Sequence, residues 1–415
     1  MGKKSLPVET LRIGMIGSRF VARFHLQSMV GVRHAQIAGV WSPTKARREA
    51  YAGLANQMEL GPCKPYPSLE AMVSSPEIDA VWVAGPNYAR LENFQLIHDL
   101  VKQGKASLLG VACEKPLART IGEAREIVQL AKDAKLNHGY LENQLFATAV
   151  QRGKEIIWRR AVPICGRPYL ARAAEEHGGP HEPWFWMGSR QGGGVLSDMM
   201  CHSVEVARFL LTKPDEPRSS LKPVSASATI GFLKWTQPDY VKKLKKSMGS
   251  AVDYGKRPAE DFARGTLVLK NPEGREVIVE ATTSWAYVGA GLRLQLELLG
   301  PEYSMEFNSL STGLKVFLSR EVRGAQGEDL VEKQNAEQGL MPVLEDEAAA
   351  YGYVNENRHM VEAFRKGIRP METLNDGLAV VEMLIAFYRS AEIGQVVKFP
   401  VKGLENYVPP VARKK

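Results

Sequence analysis

Only four cysteines occur in the 415 residues, at positions 63, 113, 165 and 201, and no two of them form a C-x-x-C pair. Neither a zinc site nor a disulfide framework is indicated, and reduced thiols are expected. No apolar run approaches the roughly 18 residues of a membrane span, and no apolar stretch follows the N-terminal lysines as a secretory signal would require. A cytoplasmic location is the expectation. Repeats of solenoid length and low-complexity tracts are lacking as well. The net charge of +8 is spread along the chain instead of lying on one periodic face, which speaks against nucleic-acid or membrane partners.

What the chain does have is the composition of a globular protein, 44% hydrophobic and 24% charged, at a length that implies two domains. Leu11 to Ile16 is an apolar run closing on Gly17, followed by helical spacing at Phe20, Val21, Phe24, Leu26 and Met29 and by a second strand-like run, Ala35 to Trp41. The alternation continues with Leu69 to Val73 as helix, Ile78 to Ala84 as strand, Leu91 to Lys102 as helix, Ser107 to Cys113 as strand and Ile121 to Ala134 as helix. Such alternation predicts an α/β fold, a doubly wound parallel sheet of Rossmann type over residues 1–143.

Beyond that point strands follow strands, at Val224 to Leu233, Ala263 to Lys270, Glu276 to Trp285 and Arg293 to Leu299. Asn271-Pro272-Glu273-Gly274 signals a hairpin. Residues 144–400 therefore read as an α+β domain on a large, open, mostly antiparallel sheet. Helices at Val195 to Leu211 and Asn355 to Arg365 are expected to cover one face, the lysine-rich stretch Lys234 to Arg264 to be a solvated insertion, and residues 401–415 to be a tail.

Gly14-Met15-Ile16-Gly17-Ser18-Arg19-Phe20-Val21-Ala22 is a degraded dinucleotide fingerprint. Gly17 takes the turn and Ala22 the helix-packing position, with Arg19 where the second glycine usually sits. The helix that follows offers its first amides to an anion. The acid that would bind a ribose 2′-hydroxyl is missing, and Ser42, Thr44, Lys45, Arg47 and Arg48 stand in its place. That exchange leans towards NADP over NAD, although Ser42 or Thr44 could equally be a helix cap.

Two further segments carry chemistry. Val111-Ala112-Cys113-Glu114-Lys115-Pro116 puts a lysine at the end of an apolar strand, and Asp198 and His202 are four residues apart, on one helical face. Loss of hydride from a carbinol needs a base near neutrality, which suits His202, and a cation for the developing alkoxide, which suits Lys115. Lys115 is an alternative base if burial depresses it. Metal binding by Asp198 and His202, with His177 or His181, is the weaker reading of the same residues, and no metal is expected.

These segments resemble the Gfo/Idh/MocA oxidoreductases, glucose-fructose oxidoreductase and inositol dehydrogenases among them. The likeness runs through the glycine turn with Phe20 and His25, Glu77-Ile78-Asp79-Ala80-Val81 leading to Pro86-Asn87, Glu114-Lys115-Pro116, Gly192-Gly193-Gly194 with Asp198 and His202, and Asn375-Asp376-Gly377. The resemblance implies NAD or NADP as cofactor and hydride transfer to or from a secondary hydroxyl of a sugar, glycoside or cyclitol. It also implies a homodimer or homotetramer built on the open sheet. In it Lys115 holds the reacting hydroxyl, His202 exchanges its proton and Asp198 orients the substrate. Ala84, Gly85, Pro86, Asn87, Glu114, Lys115 and Asn143 would join the nucleotide side. On the residues themselves, Tyr140, Glu142, His177, His181 and Trp184 are expected on the substrate side, with Gln144 and Trp186 close by, although Trp184 to Trp186 could equally be plain core; Arg190 could meet an anionic substituent there but suits a surface or interface salt bridge better. Arg19 replaces the small residue of many members, and Gly85 and Arg90 stand where a threonine and a histidine are frequent. Two other activities fit the same pattern: a glycosidase or lyase assisted by tightly bound NAD, and a nucleotide or sugar sensor without catalysis.

Overall fold

The alternation in the first third builds a parallel sheet. The computed structural model describes residues 6–252, 254–318, 339–344 and 346–413. Its first strands are β1 (Leu11–Ile16), β2 (Ala35–Trp41), β3 (Lys64–Pro65), β4 (Ala80–Val83), β5 (Gly110–Glu114) and β6 (Asn137–Leu141). They pair in parallel, in the order β3-β2-β1-β4-β5-β6. Helices α1 (Phe20–Ser28), α2 (Lys45–Gln57), α3 (Leu69–Val73), α4 (Arg90–Lys102) and α5 (Ile121–Asp133) make the crossovers. Strands β4 and β5 are buried along their whole length, as strands covered on both faces must be. Order reverses between β1 and β4, so ligands are expected outside the carboxyl ends of those strands.

The chain continues with α6 (Thr148–Ile156), α7 (Val162–Cys165), β7 (Leu170–Glu176), α8 (Gly188–Gln191), α9 (Val195–Leu211), β8 (Lys222–Gly231) and α10 (Pro238–Met248). Strands β9 (Phe262–Lys270), β10 (Glu276–Ser284), β11 (Arg293–Gly300), β12 (Tyr303–Asn308), β13 (Leu314–Leu318) and β14 (Gly339–Val343) follow. Last come α11 (Glu347–Ala350), α12 (Tyr353–Lys366), α13 (Leu374–Ile393) and β15 (Val397–Lys398). A seven-stranded sheet has the order β12-β11-β7-β10-β9-β8-β15 and is antiparallel except where β7 meets β10. Helix α9 lies on one face of it, against β7, β9, β10 and β11. Among the described residues no helix is long and apolar enough to cross a membrane.

Two compact units emerge, Met1–Ala147 with Ala348–Ala379, and Thr148–Glu347 with Val380–Lys415. A division into contiguous stretches was expected, and the helix at Asn355 to Arg365 was expected on the second sheet. Instead α12 packs on the parallel sheet. Its Phe364 stands edge-on to Trp82, with ring centroids 5.6 Å apart. Side chains on Gly110 and Gly139 would collide with Phe364 and Met360, so those glycines admit the helix. The stretch read as a solvated insertion is only partly so: Lys242, Lys243, Lys245 and Lys246 are exposed, while Val252, Tyr254, Ala259, Glu260 and Asp261 are buried. The tail also has anchors, since Ala412 is buried and Gly188 packs against Val411.

Candidate active site

In the first unit, Gly17 leaves β1 with φ +118°, and a Cβ there would press into the main chain of Ala84. Glycine is required both by the left-handed turn and by that close approach. The first turn of α1 has no acidic residue, and neither has that of α2, so the amides at both helix starts are left to an anion. Ser18 donates to Ser42 Oγ (2.9 Å), and Arg48 donates to the Ser42 carbonyl (3.2 Å). Thr44 is the residue before α2, but its side chain makes no capping hydrogen bond. The Arg19 guanidinium is held below its usual range, first by desolvation and then by the positive charge of Arg47. A turn that only glycine can make, acid-free helix starts and two neighbouring cations fit a dinucleotide.

Lys115 follows the last residue of β5. Glu114, which closes that strand, is 3% exposed and takes two hydrogen bonds on its carboxylate, from His25 Nε2 (2.8 Å) and from the Lys115 amide (3.1 Å). Burial alone would push this carboxyl up, but the His25 hydrogen bond and the charges of His25, Lys115 and Arg90 outweigh it and hold it low. On its other side the His25 ring faces the Asn357 amide (2.9 Å), which also donates to Ser28 and whose oxygen receives the Trp82 indole N–H. Glu142, wholly buried, is pushed up to about 8 by desolvation, against the pull of Lys115. Glu356 on α12 is raised well above its ordinary value, by burial and then by the like charges of Glu114 and Glu142, and neither of its oxygens has a hydrogen-bond partner among the described residues.

In the second unit, Asp198 and His202 sit one turn apart on α9, each 4% exposed. The Trp285 indole donates to Asp198 Oδ2 (3.3 Å), and Glu175 Oε2 on β7 lies 3.9 Å from His202 Nε2. Helix α9 is buried along its whole length and follows directly on Gly194. Its amino end is closed by Glu260, whose carboxylate accepts from the amides of Gly194 (2.9 Å) and Leu196 (3.1 Å), and by Tyr388, whose hydroxyl donates to Glu260 (2.6 Å) and accepts from Gly194 and Ser197 (3.1 Å each).

A family model described as "Oxidoreductase family, NAD-binding Rossmann fold" matches residues 11–140, and one described as "GFO/IDH/MocA C-terminal domain" matches residues 164–306. The chain belongs to the Gfo/Idh/MocA oxidoreductase family. Its first unit carries the NAD-binding Rossmann fold of that family. A 1,5-anhydro-D-fructose reductase of Ensifer adhaerens is 30% identical over 222 residues, 53% of this chain and 61% of the reductase, so the match spans about three-fifths of that protein. An inositol 2-dehydrogenase of Rhizobium meliloti (strain 1021) is 23% identical over 386 residues, 92% of this chain and 97% of the relative. Among solved structures, GenD2 from gentamicin A biosynthesis, crystallised with NAD, has a TM-score of 0.74 at 22% identity, covering 96% of this chain and 99% of that one. A levoglucosan dehydrogenase with NADH and levoglucosan has a TM-score of 0.68 at 20% identity, covering 94% and 100%. At these identities the structures speak for the fold.

Within this Gfo/Idh/MocA frame the remaining expected residues fall as follows. Gly14 lies inside β1, where a side chain would crowd Ile78 and Met72. Phe20 packs on Phe24 (5.1 Å), Val21 is half-buried, and Lys45 pairs loosely with Glu49 (3.8 Å). Ala84, Gly85, Pro86 and Asn87 form the loop after β4, with Asn87 buried. The Asn143 amide is committed to the Tyr351 carbonyl (2.8 Å), and Tyr140 is fully buried. His177, also fully buried, accepts the Gly179 amide on Nδ1 (2.9 Å). His181 and Arg190 are exposed, and Trp184 stacks on Phe185 (3.8 Å). Trp186 belongs to an aromatic cluster with Trp235, Tyr254 and Trp285. Sequence reasoning did not single out Glu175, Trp285, Glu260, Tyr388 or Asn357 as partners of the site, and no local spacing in the chain points to them.

Proposed function

We propose that the protein carries out reversible hydride transfer between NAD(P) and a secondary hydroxyl of a sugar, glycoside or cyclitol, with Lys115, His202 and Asp198 as its catalytic group. The observation that carries the reading is the buried Asp198 and His202 pair on α9, with Glu175 3.9 Å from the imidazole. That is the equipment of a base whose proton must come and go. Two of the relatives named above are a 1,5-anhydro-D-fructose reductase and an inositol 2-dehydrogenase, which supports a carbohydrate or cyclitol as substrate.

The turn at Gly17 and the first amides of α1 would hold the pyrophosphate. Ser42, Thr44 and Arg47 would face the ribose, and the Gly85–Asn87 loop with Lys115 would face the nicotinamide. When bound, the dinucleotide accepts or returns the hydride. The chain's own part is proton and charge handling. His202 Nε2 takes the hydroxyl proton and Glu175 stabilises the resulting imidazolium. Lys115 Nζ donates a hydrogen bond to the carbinol oxygen as negative charge grows on it, an interaction strongest where water is excluded. Asp198, its carboxylate fixed by Trp285, accepts a neighbouring hydroxyl and sets the ring's orientation. Two copies of the chain are proposed to pair through the uncovered face of the seven-stranded sheet.

The test is a panel of sugars and cyclitols followed by the near-ultraviolet absorbance of the reduced nicotinamide. Lys115→Ala and His202→Ala are each expected to lower kcat by roughly 10²- to 10⁴-fold. Full turnover in both variants overturns the assignment. Protein that arrives with NAD bound and releases a leaving group without net reduction points to the glycosidase or lyase chemistry instead.

A further inference from the structure

Arg90 opens helix α4 and is only 3% exposed. A buried guanidinium must find acceptors for a planar fork of N–H groups, and this one finds them on main chain. Its Nε donates to the Gly85 carbonyl (3.2 Å), Nη1 to the carbonyls of Glu114 (2.6 Å) and Pro116, and Nη2 to that of Lys115 (3.0 Å). Three successive carbonyls thus converge on one cation. Along an extended chain successive carbonyls point in alternate directions, so the backbone must curl around the guanidinium as it leaves β5. Without that donor set, neighbouring buried dipoles would face one another with their acceptors unsatisfied.

The same stretch is held from its other side. The Lys115 amide donates to the Glu114 carboxylate (3.1 Å), which His25 fixes in turn (2.8 Å). Both main-chain polar groups of Lys115 are therefore bound to charged side chains. Through Gly85, Arg90 also ties this curl to the loop that follows β4, so the two loops at the carboxyl edge of adjacent strands share one anchor. The fold of α4 does not demand arginine there, because any residue can start a helix with its side chain turned outwards.

We propose that Arg90 is a positioning residue: it fixes the main chain on both sides of Lys115 and locks it to the Gly85–Asn87 loop, so that the ammonium projects from an immobile base. The proposal rests on the reading of Lys115 as catalytic. Arginine is specific to the role, since a lysine keeps the charge but lacks the planar fork that reaches four carbonyls.

The experiment compares the full-length protein with Arg90→Lys and Arg90→Ala. Misplacement of a catalytic group costs roughly 10²-fold, so kcat is expected to fall about that far in both variants. KM for the oxidised sugar is expected to stay within about threefold and Kd for NADH to rise by at most about tenfold through the loosened Gly85–Asn87 loop, so that kcat carries most of the loss. Added guanidinium is expected to restore part of kcat in Arg90→Ala. Hydrogen exchange of the peptide spanning residues 113–118 is expected to quicken in both variants. Wild-type kcat in Arg90→Lys overturns the proposal, and so does a loss that appears only in melting temperature or Kd. Lys115→Ala separates the two readings. If it retains turnover, the catalytic role of the lysine falls, and exchange still judges the clamp: unchanged exchange in Arg90→Lys refutes it whatever the kinetics show.

Discussion

Desolvation and then the charge of Arg47 hold the Arg19 guanidinium down, with no acid on the first turn of either adjoining helix. Two cations held together in this way are stabilised by a dianion, and the Thr44 hydroxyl, which caps no helix amide, can donate to the same kind of group. A ribose 2′-phosphate supplies it, whereas a bare 2′-hydroxyl does not. NADPH is therefore expected to bind more tightly than NADH in a fluorescence titration. Arg47→Ala should weaken NADPH by roughly tenfold, the worth of one charge-assisted hydrogen bond, and leave NADH nearly unchanged. Equal affinities in the unaltered protein would sink the idea. Residues of this kind were legible because their signal is local: a glycine after a strand, a missing acid at a fixed offset, a lysine before proline. Arg90, Glu175 and Glu260 were not. Each acts on a segment 24 or more residues away, and no periodicity in the chain records such a pairing.

Helix α9 shows what an element adds to its residues. The glycine triplet before it reads as a motif in sequence, and the structure supplies the reason: a side chain on Gly193 would strike the Tyr388 hydroxyl and one on Gly194 would strike Glu260. The helix that carries Asp198 and His202 is seated by a buried carboxyl bound to its first amides. Burial pushes Glu260 up to about 7, although the Tyr388 hydroxyl and those amides pull it down. The folded state thus holds this proton more tightly than the unfolded chain does. Stability from the protonated form is complete below the ordinary value of 4.5 and is lost as pH rises through about 7. The shift corresponds to a loss on the order of 3 kcal/mol. Glu260→Gln keeps an acceptor for the Gly194 and Leu196 amides and cannot titrate. Its melting temperature should therefore fall less than that of the unaltered protein between about pH 5 and 8, measured by calorimetry. Parallel curves would mean that Glu260 stays ionised throughout.

At the scale of the whole molecule, the two kinds of sheet were plain from strand and helix grammar, but the return of α12 to the first unit was not. An amphipathic helix announces that it will bury a face, not which face it will meet; the glycines at 110 and 139 that receive it are more than two hundred residues away in sequence. The open face of the second sheet poses the same question to another copy of the chain. Register puts Val268, Ile278, Leu170 and Leu299 side by side across four strands, and the next rung holds Thr266, Glu280, Arg172 and Glu297. Arg172 bridges both glutamates there (2.7 and 3.0 Å), and Ile278 is 41% exposed. An apolar row beside a row of alternating charge is self-complementary under a two-fold axis, since each arginine can meet a partner's glutamate while the apolar rows close together. Light scattering on the eluting protein is expected to give at least twice the mass of one chain. Ile278→Arg buries an unpaired charge in that row and should weaken the pairing by on the order of 30-fold or more, giving monomers at micromolar concentration. A monomeric unaltered protein, or an Ile278→Arg variant of unchanged mass, would leave this face to solvent and remove the sheet from the assembly.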